Sequence, residues 1–159
     1  PAPPMPAWAV GLGTSLSGGA PAAPLAALPP AAVADSSDPA VMSERADAAF
    51  TGGNYAEAAA LYERLLGSDP QNVELHNNLG LTLHYLGRSG EALERLAAGL
   101  RIDPGHQRSW LTTGFVHLQV GNTAEARTAL THARDAGDDA QIRDSAEKML
   151  AGLPKQPLP

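Results

Sequence analysis

The chain repeats itself every 34 residues. Gly-Asn-Tyr-Ala-Glu-Ala begins at Gly53, Gly-Arg-Ser-Gly-Glu-Ala at Gly87 and Gly-Asn-Thr-Ala-Glu-Ala at Gly121. Asp69 and Asp103, each followed by proline, keep the same interval. A period of about 34 residues is the length of a helix-turn-helix unit that cannot bury its apolar face alone. Such units stack on their neighbours, so the period predicts an all-α solenoid.

The recurring residues resemble the tetratricopeptide repeat family. That family's pattern has a small residue midway in the first helix, a glycine turn, an aromatic and an alanine in the second helix, and a proline after it. In the three repeats these roles fall on Ala46, Gly53, Tyr55, Ala58, Tyr62 and Pro70; on Leu79, Gly80, Gly87, Ala92, Leu96 and Pro104; and on Trp110, Gly114, Gly121, Ala126, Leu130 and Ala133. The third repeat has Asp138 in place of its proline.

The resemblance implies a right-handed solenoid of three such repeats closed by a capping helix. It covers about Asp38 to Leu153 and leaves an arm before it and a short tail after it. The expected divisions are an arm at 1–37, a repeat domain at 38–153 with repeats at about 39–72, 73–106 and 107–138 and a capping helix at 139–151, and a tail at 154–159.

The arm differs in composition from the rest of the chain. It carries no charged residue before Asp35 and is rich in proline and alanine, which favours extended segments over long helices. It also carries more large apolar side chains than a spacer needs. We expect it to dock on its own solenoid, on a neighbouring chain or on a larger partner through Trp8, Leu12, Leu16, Leu25 and Leu28. A simple linker is the alternative.

Polar residues mark where several helices begin. Asn54 with Glu57, and Asn122 with Glu125, have the spacing of a capping box, in which two side chains satisfy free amides of the first turn. Asp138 precedes the last amphipathic segment. We therefore predict side-chain caps at these three positions.

In proteins of this family, partners bind the inner face, which first-helix positions line. The resemblance places a peptide-binding groove on Asn77, Asn78, Leu81, His84, Tyr85, Arg108, Leu111, Phe115, Leu118 and Gln119. Because many of these residues are apolar, we expect a contiguous apolar surface with a polar rim that accepts an extended, mainly apolar peptide. The alternative is that part of this set packs against neighbouring helices.

One subclass of the family grips the carboxylates of a chaperone's C-terminus with lysine, asparagine and arginine. The corresponding positions here hold Ser43, Asp47, Asn78, Arg108 and Thr112. Only Asn78 and Arg108 match, and Asp47 would repel a carboxylate. We therefore do not expect this type of co-chaperone activity.

Charge and hydropathy argue against nucleic-acid binding and against a transmembrane segment. The formal net charge of -6 argues against nucleic acid, since binding the phosphate backbone requires clustered lysine and arginine. No apolar run reaches the roughly 18 residues that a transmembrane segment needs. The first residues lack the basic segment of a secretory signal, as those of a processed or shortened chain would.

The sequence also offers no catalytic or metal-binding constellation. None of the five histidines lies four residues from another, and the chain has no cysteine. No serine sits in a glycine elbow, and no glycine-rich segment carries the lysine of a phosphate loop. We predict a protein that is not an enzyme and that has neither a metal nor a cofactor.

The expected function is an adaptor that holds another polypeptide, which includes its own or a neighbouring arm. The alanine, glycine, arginine and aspartate content is typical of bacteria, and short repeat proteins of this type resemble adaptors of pilus assembly and secretion. That resemblance implies a bacterial envelope complex in the periplasm, with the cytoplasm as the alternative. Two other functions stay open: a structural subunit whose arm staples neighbouring subunits, and an accessory domain of an enzyme.

Overall fold

The computed structural model describes residues 7–9 and 38–154, and every regular element in them is helical. A single 3₁₀ turn, here named the Trp8 turn, covers Ala7–Ala9. The α-helices are α1 Pro39–Thr51, α2 Tyr55–Ser68, α3 Val73–Tyr85, α4 Ser89–Ile102, α5 Gln107–Gln119, α6 Thr123–Asp135 and α7 Ala140–Ala151. None of these described helices has both the length and the apolar character needed to cross a bilayer.

The helices stack as consecutive antiparallel hairpins. Each second helix, α2, α4 or α6, contacts the first helix before it and the one after it. The first helices also contact one another where α3 meets α5 and α5 meets α7. This pattern confirms the predicted all-α solenoid and puts α7 in the position of a further first helix, where it covers the third hairpin.

A glycine in the left-handed backbone region makes each turn between the helices of a hairpin. The φ angles of Gly53, Gly87 and Gly121 are 78°, 79° and 84°. Residues other than glycine rarely adopt this backbone conformation, because their Cβ atom clashes with the backbone. The glycine that begins each six-residue motif therefore forms a turn that other residues would form only with strain.

Glycine also allows the two helices of a hairpin to approach closely. A Cβ added at Gly80 would lie 2.8 Å from Leu96 Cγ, and one added at Gly114 would lie 2.6 Å from Leu130 Cγ. Real Cβ atoms do not approach other carbons at these distances. The predicted packing role of these two small residues is confirmed.

None of the three predicted side-chain caps forms at its predicted residue. Asn54 and Asn122 make no side-chain cap; the Asn54 amide instead donates to Glu57 Oε2 at 2.7 Å. The ψ angles at the two positions are 65° and 74°, short of the extended backbone in which a cap side chain reaches the first turn. Asp139, with ψ 105°, caps α7 in place of Asp138. Its Oδ1 accepts a hydrogen bond from the backbone N–H of Gln141 at 2.9 Å.

The interior contains two apolar clusters. The first fills the first two hairpins and extends to Phe115 and Val116. The second joins the third hairpin to α7 through Leu111, Leu130 and Ile142. Because the inner positions of α5 contribute to both clusters, α5 is the helix where the two meet.

Candidate functional site

The inner face is the surface formed by α1, α3, α5 and α7. The residues predicted to bind a peptide all lie on α3 and α5, which contact each other along this face. Their side chains differ in accessibility. Asn78, His84, Tyr85 and Phe115 are almost covered, Arg108 and Leu118 are half-buried, and Gln119 is exposed.

Leu81, Leu111 and Asn77 do not form open surface. Each is 0% exposed, and the two leucines belong to the two interior clusters. The expectation of a contiguous exposed apolar surface is therefore wrong at Leu81 and Leu111. The reason is that α3 and α5 pack side by side, which brings these inner positions into helix contacts.

Aromatic rings connect the repeats across the inner face. The Tyr55 ring stacks on Tyr85 with centroids 5.0 Å apart, and Phe50 meets Tyr85 edge-on at 5.8 Å. His84 meets Tyr85 at 5.7 Å and Phe115 at 5.5 Å, again edge-on. We call these five rings the aromatic row. Edge-on and offset-stacked pairs are the arrangements that the ring quadrupole favours, so the row is well packed.

Unpaired polar atoms lie on the same side of α3. Asn77 Oδ1, His84 Nε2 and Tyr85 Oη are buried, and none has a hydrogen-bond partner in the described part of the chain. Leaving a buried polar atom unpaired costs about 1–3 kcal/mol. A peptide backbone laid against α3 would supply hydrogen-bond partners to His84 Nε2 and Tyr85 Oη, whose residues are slightly exposed, but not to the fully buried Asn77.

Burial of the His84 ring makes stability depend on pH. Burial lowers the pKa of His84 below its ordinary value of 6.5. The unfolded chain therefore binds more protons, and His84 removes stability as the pH falls from about 6.5 through its folded pKa. We expect the wild type to lose stability relative to His84→Gln between about pH 7 and about pH 5 in urea unfolding. His117→Gln should show a smaller effect, since burial lowers the pKa of His117 but Glu125 partly opposes the shift. An unchanged difference between wild type and His84→Gln across that range would contradict the assignment.

The first repeat presents acidic groups to the inner face. Asp47 accepts a hydrogen bond from the Tyr62 hydroxyl. Burial raises the pKa of Asp47, Tyr62 opposes that rise, and the carboxylates of Glu74 and Glu44 add to it. This end of the face is thus unfavourable for a further carboxylate.

The cation on the rim is already engaged. Glu74 Oε1 lies 3.3 Å from His106 Nε2 and 3.9 Å from Arg108 Nε. Burial opposes ionisation of Glu74, yet the hydrogen bond and charge of His106 and the charge of Arg108 lower its pKa overall. Arg108 therefore faces a carboxylate of its own chain.

The Trp8 turn lies at the third-repeat end of the aromatic row. The Trp8 ring meets Phe115 edge-on, with centroids 5.6 Å apart and planes at 80°. Trp8 packs against both interior clusters, as does Met149 of α7, and the turn contacts α7. The other arm residues predicted to dock, Leu12, Leu16, Leu25 and Leu28, lie outside the described residues.

Sequence reasoning did not include Tyr55, Met149 and Ala9 in the site. Tyr55 begins α2, and its repeat position indicated packing between helices. Met149 occurs on the apolar side of α7, which was expected only to cover the solenoid end. The spacing of Ala9 carries no signal, since nothing periodic surrounds it. Only the tertiary contacts bring these three residues to the inner face.

Among the described residues, no group of three or more histidine and carboxylate side chains converges on a possible metal position. His76 and His84 instead contact polar neighbours. His76 Nε2 lies 3.1 Å from the Pro70 carbonyl oxygen, and His84 Nδ1 lies 2.9 Å from Ser89 Oγ.

Comparison with known proteins identifies the repeat. A family model described as "Tetratricopeptide repeat" matches residues 25–73 and 43–107. The TPR repeat-containing thioredoxin TTL4 of Arabidopsis thaliana is 30% identical over 112 residues, which are 70% of this chain and 16% of that protein. The chain therefore spans about a sixth of this relative.

Solved structures share the fold at low sequence identity. The first TPR of Spaghetti (RPAP3), bound to the HSP90 peptide SRMEEVD, superposes with a TM-score of 0.65 and 19% identity over 74% of this chain and 91% of that one. PcrH in complex with the chaperone binding region of PopD gives a TM-score of 0.65 and 21% identity over 70% of this chain and 86% of that one. At these identities the likeness establishes the fold.

Proposed function

The chain belongs to the tetratricopeptide repeat family, and we propose that it is an adaptor that binds an extended, mainly apolar segment of another protein along its inner face. The family's fold is typically a protein-interaction module without catalytic activity. The observation that carries the proposal is the aromatic row, with Tyr85 Oη and His84 Nε2 beside it, neither of which has a hydrogen-bond partner in the described part of the chain. Apolar side chains would pack on the edges of the rings, and the backbone would satisfy the polar atoms.

The charge distribution supports an apolar ligand over an acidic one. Asp47, Glu44 and Glu74 lie together at one end of the inner face, and Arg108 is near Glu74. A peptide rich in carboxylates would meet repulsion there. The peptide SRMEEVD, found on the first TPR of Spaghetti, therefore serves as the acidic comparison probe.

A hydroxyl deletion tests the proposal. We would select peptides of about a dozen residues from a displayed library for binding to the full chain. Their affinities would then be measured for the wild type and for Tyr85→Phe. Losing the hydroxyl should weaken apolar peptides about 2–10-fold, the value of one net hydrogen bond. It should not lower the free energy of unfolding, because the buried hydroxyl has no hydrogen-bond partner in the described part of the chain. SRMEEVD should bind far more weakly than the selected peptides.

Tyr55→Phe is the matched control for this test. Tyr55 belongs to the same stacked pair, but its hydroxyl is not among the buried unpaired atoms. It should leave affinity unchanged. Selected peptides that are acidic, or that bind Tyr85→Phe as tightly as wild type, would contradict the proposal.

The biological setting is a finer proposal. We infer a role in assembly of a bacterial envelope or secretion complex, which the similar fold of the Yersinia enterocolitica type III secretion translocator chaperone SycD supports. The alternative of an accessory domain of a larger protein is supported by the thioredoxin relative, of which the match covers 16%. The alternative of a subunit that staples its neighbours would require the arm to dock on another chain.

A further inference from the structure

Trp8 occupies a defined seat on the inner face. Phe115 of α5 forms one wall, edge-on to the indole at 5.6 Å. Met149 of α7 packs against the same two clusters as Trp8 and lies at the junction between them. We call this surface the Trp8 seat. It continues the aromatic row by one ring, since Phe115 also contacts His84.

The seat favours a small residue next to the aromatic one. Ala9 is only 1% exposed and belongs to the first interior cluster. A larger side chain at that position would have to displace core atoms, because packed interiors leave little free volume. The seat therefore fits an aromatic residue followed by alanine.

Tryptophan is an imperfect occupant of this seat. Trp8 Nε1 is buried and has no hydrogen-bond partner in the described part of the chain. Trp110 shows the contrast, since its Nε1 donates to the Pro104 carbonyl oxygen at 2.8 Å. A buried indole N–H without an acceptor weakens the contact that holds it, whereas phenylalanine has no such donor.

Resting on the function proposed above, we propose that the Trp8 seat is an aromatic subsite of the inner face. The chain's own Trp8 turn fills it in the free protein. A partner segment that carries phenylalanine followed by a small residue displaces the turn. The turn thus acts as a weak internal competitor, and the aromatic anchor of the partner determines its specificity.

The covalent connection makes this competition effective. Residues 10–37 join the Trp8 turn to α1 of the same chain. A segment that belongs to the same chain as its binding site competes intramolecularly, so a contact of modest affinity keeps the seat filled. If it is filled about nine-tenths of the time, a competing peptide binds about tenfold more weakly than to an empty seat.

The test uses the full chain and a peptide with the sequence of residues 4–13. The peptide is made in two forms, with tryptophan or phenylalanine at the position of residue 8. We expect Trp8→Ala to bind both forms about tenfold more tightly than wild type. The phenylalanine form should bind at least about threefold more tightly than the tryptophan form. In the wild type, peptide should shift the indole N–H resonance of Trp8, while that of Trp110, the second of two tryptophans, stays in place.

Phe115→Leu in the Trp8→Ala chain localises the binding. Leucine keeps apolar bulk but removes the edge-on ring contact, so peptide affinity should fall about 2–10-fold with folding retained. Trp8→Phe provides a second measurement if Trp8→Ala is unstable, because it should close the seat and weaken peptide binding below wild type.

Three results would overturn this inference. Equal affinity of wild type and Trp8→Ala would show that the turn does not compete. A Trp8 resonance that moves on dilution would show that the turn docks on a second copy. Selected apolar peptides that bind through Tyr85 without moving the Trp8 resonance would leave the proposed function in place and remove only the subsite. If neither the peptides of residues 4–13 nor the selected peptides bound the wild type or Trp8→Ala, both proposals would fall.

Discussion

Leu81→Ala is expected to lower the free energy of unfolding by about 2–5 kcal/mol, the range for deleting a fully buried leucine side chain. Leu81 is on the inner side of α3, yet it is 0% exposed and belongs to the interior cluster that spans the first two hairpins. Shortening it leaves a cavity between helices that pack side by side. Urea unfolding followed by circular dichroism would measure the loss.

Leu118→Ala is the matched control for that substitution. Leu118 is also on the inner side of a first helix, but it is half-buried and packs at the margin of the second cluster. Its loss should cost about 1 kcal/mol or less, since little apolar area leaves contact with the protein. Equal costs for the two leucines would contradict the assignment of Leu81 to the core. The same assignment makes Leu81→Glu unsuitable as a binding variant, because a buried unpaired charge would unfold the chain.

Gly114→Ala is expected to cost about 1–3 kcal/mol, as overpacking of a close helix contact does. The new Cβ would lie 2.6 Å from Leu130 Cγ and Cδ2 and 3.3 Å from the Leu130 backbone nitrogen. Leu130 is fully buried, so its side chain cannot move aside without disturbing the second cluster. Chemical unfolding should show the loss, and because Gly114 lies in the third hairpin, amide exchange there should rise first.

Gly67→Ala should change stability in the opposite direction. Gly67 is also helical, near the end of α2, but a Cβ there meets no atom within 4 Å outside the backbone of its own helix. Alanine favours the helix over glycine by up to about 1 kcal/mol, so the variant should be as stable as wild type or more so. A comparable destabilisation at both glycines would mean that contact with Leu130 does not explain the result at Gly114, since helix propensity favours alanine at both positions.

Local features of the fold could be predicted from the sequence. The turn glycines and the small residues at Gly80 and Gly114 were assigned correctly, because each depends on atoms of one hairpin. The side-chain cap predicted at Asn54 does not form, although Asn54 and Glu57 have the spacing of a capping box. The backbone that leaves the glycine turn holds Asn54 at ψ 65°, and residue types alone do not specify that angle.

The candidate site was predicted only in outline. Tyr85, His84 and Phe115 were placed on the inner face from their repeat positions, and the structure brings their rings together. Their role in binding stays a proposal. That Tyr85 Oη has no hydrogen-bond partner among the described residues could not be predicted, since it depends on every neighbour within reach.

The sequence by itself determined that the chain is a stack of helical hairpins, because a period of 34 residues and glycine turns are properties of the chain alone. Only the tertiary structure decided that Leu81 is core while Leu118 is partly accessible, and that Trp8 meets Phe115. Successive helical residues differ by about 100° in direction, so periodicity identifies a helix side only approximately. Which part of that side is covered depends on helices and turns that are distant in sequence.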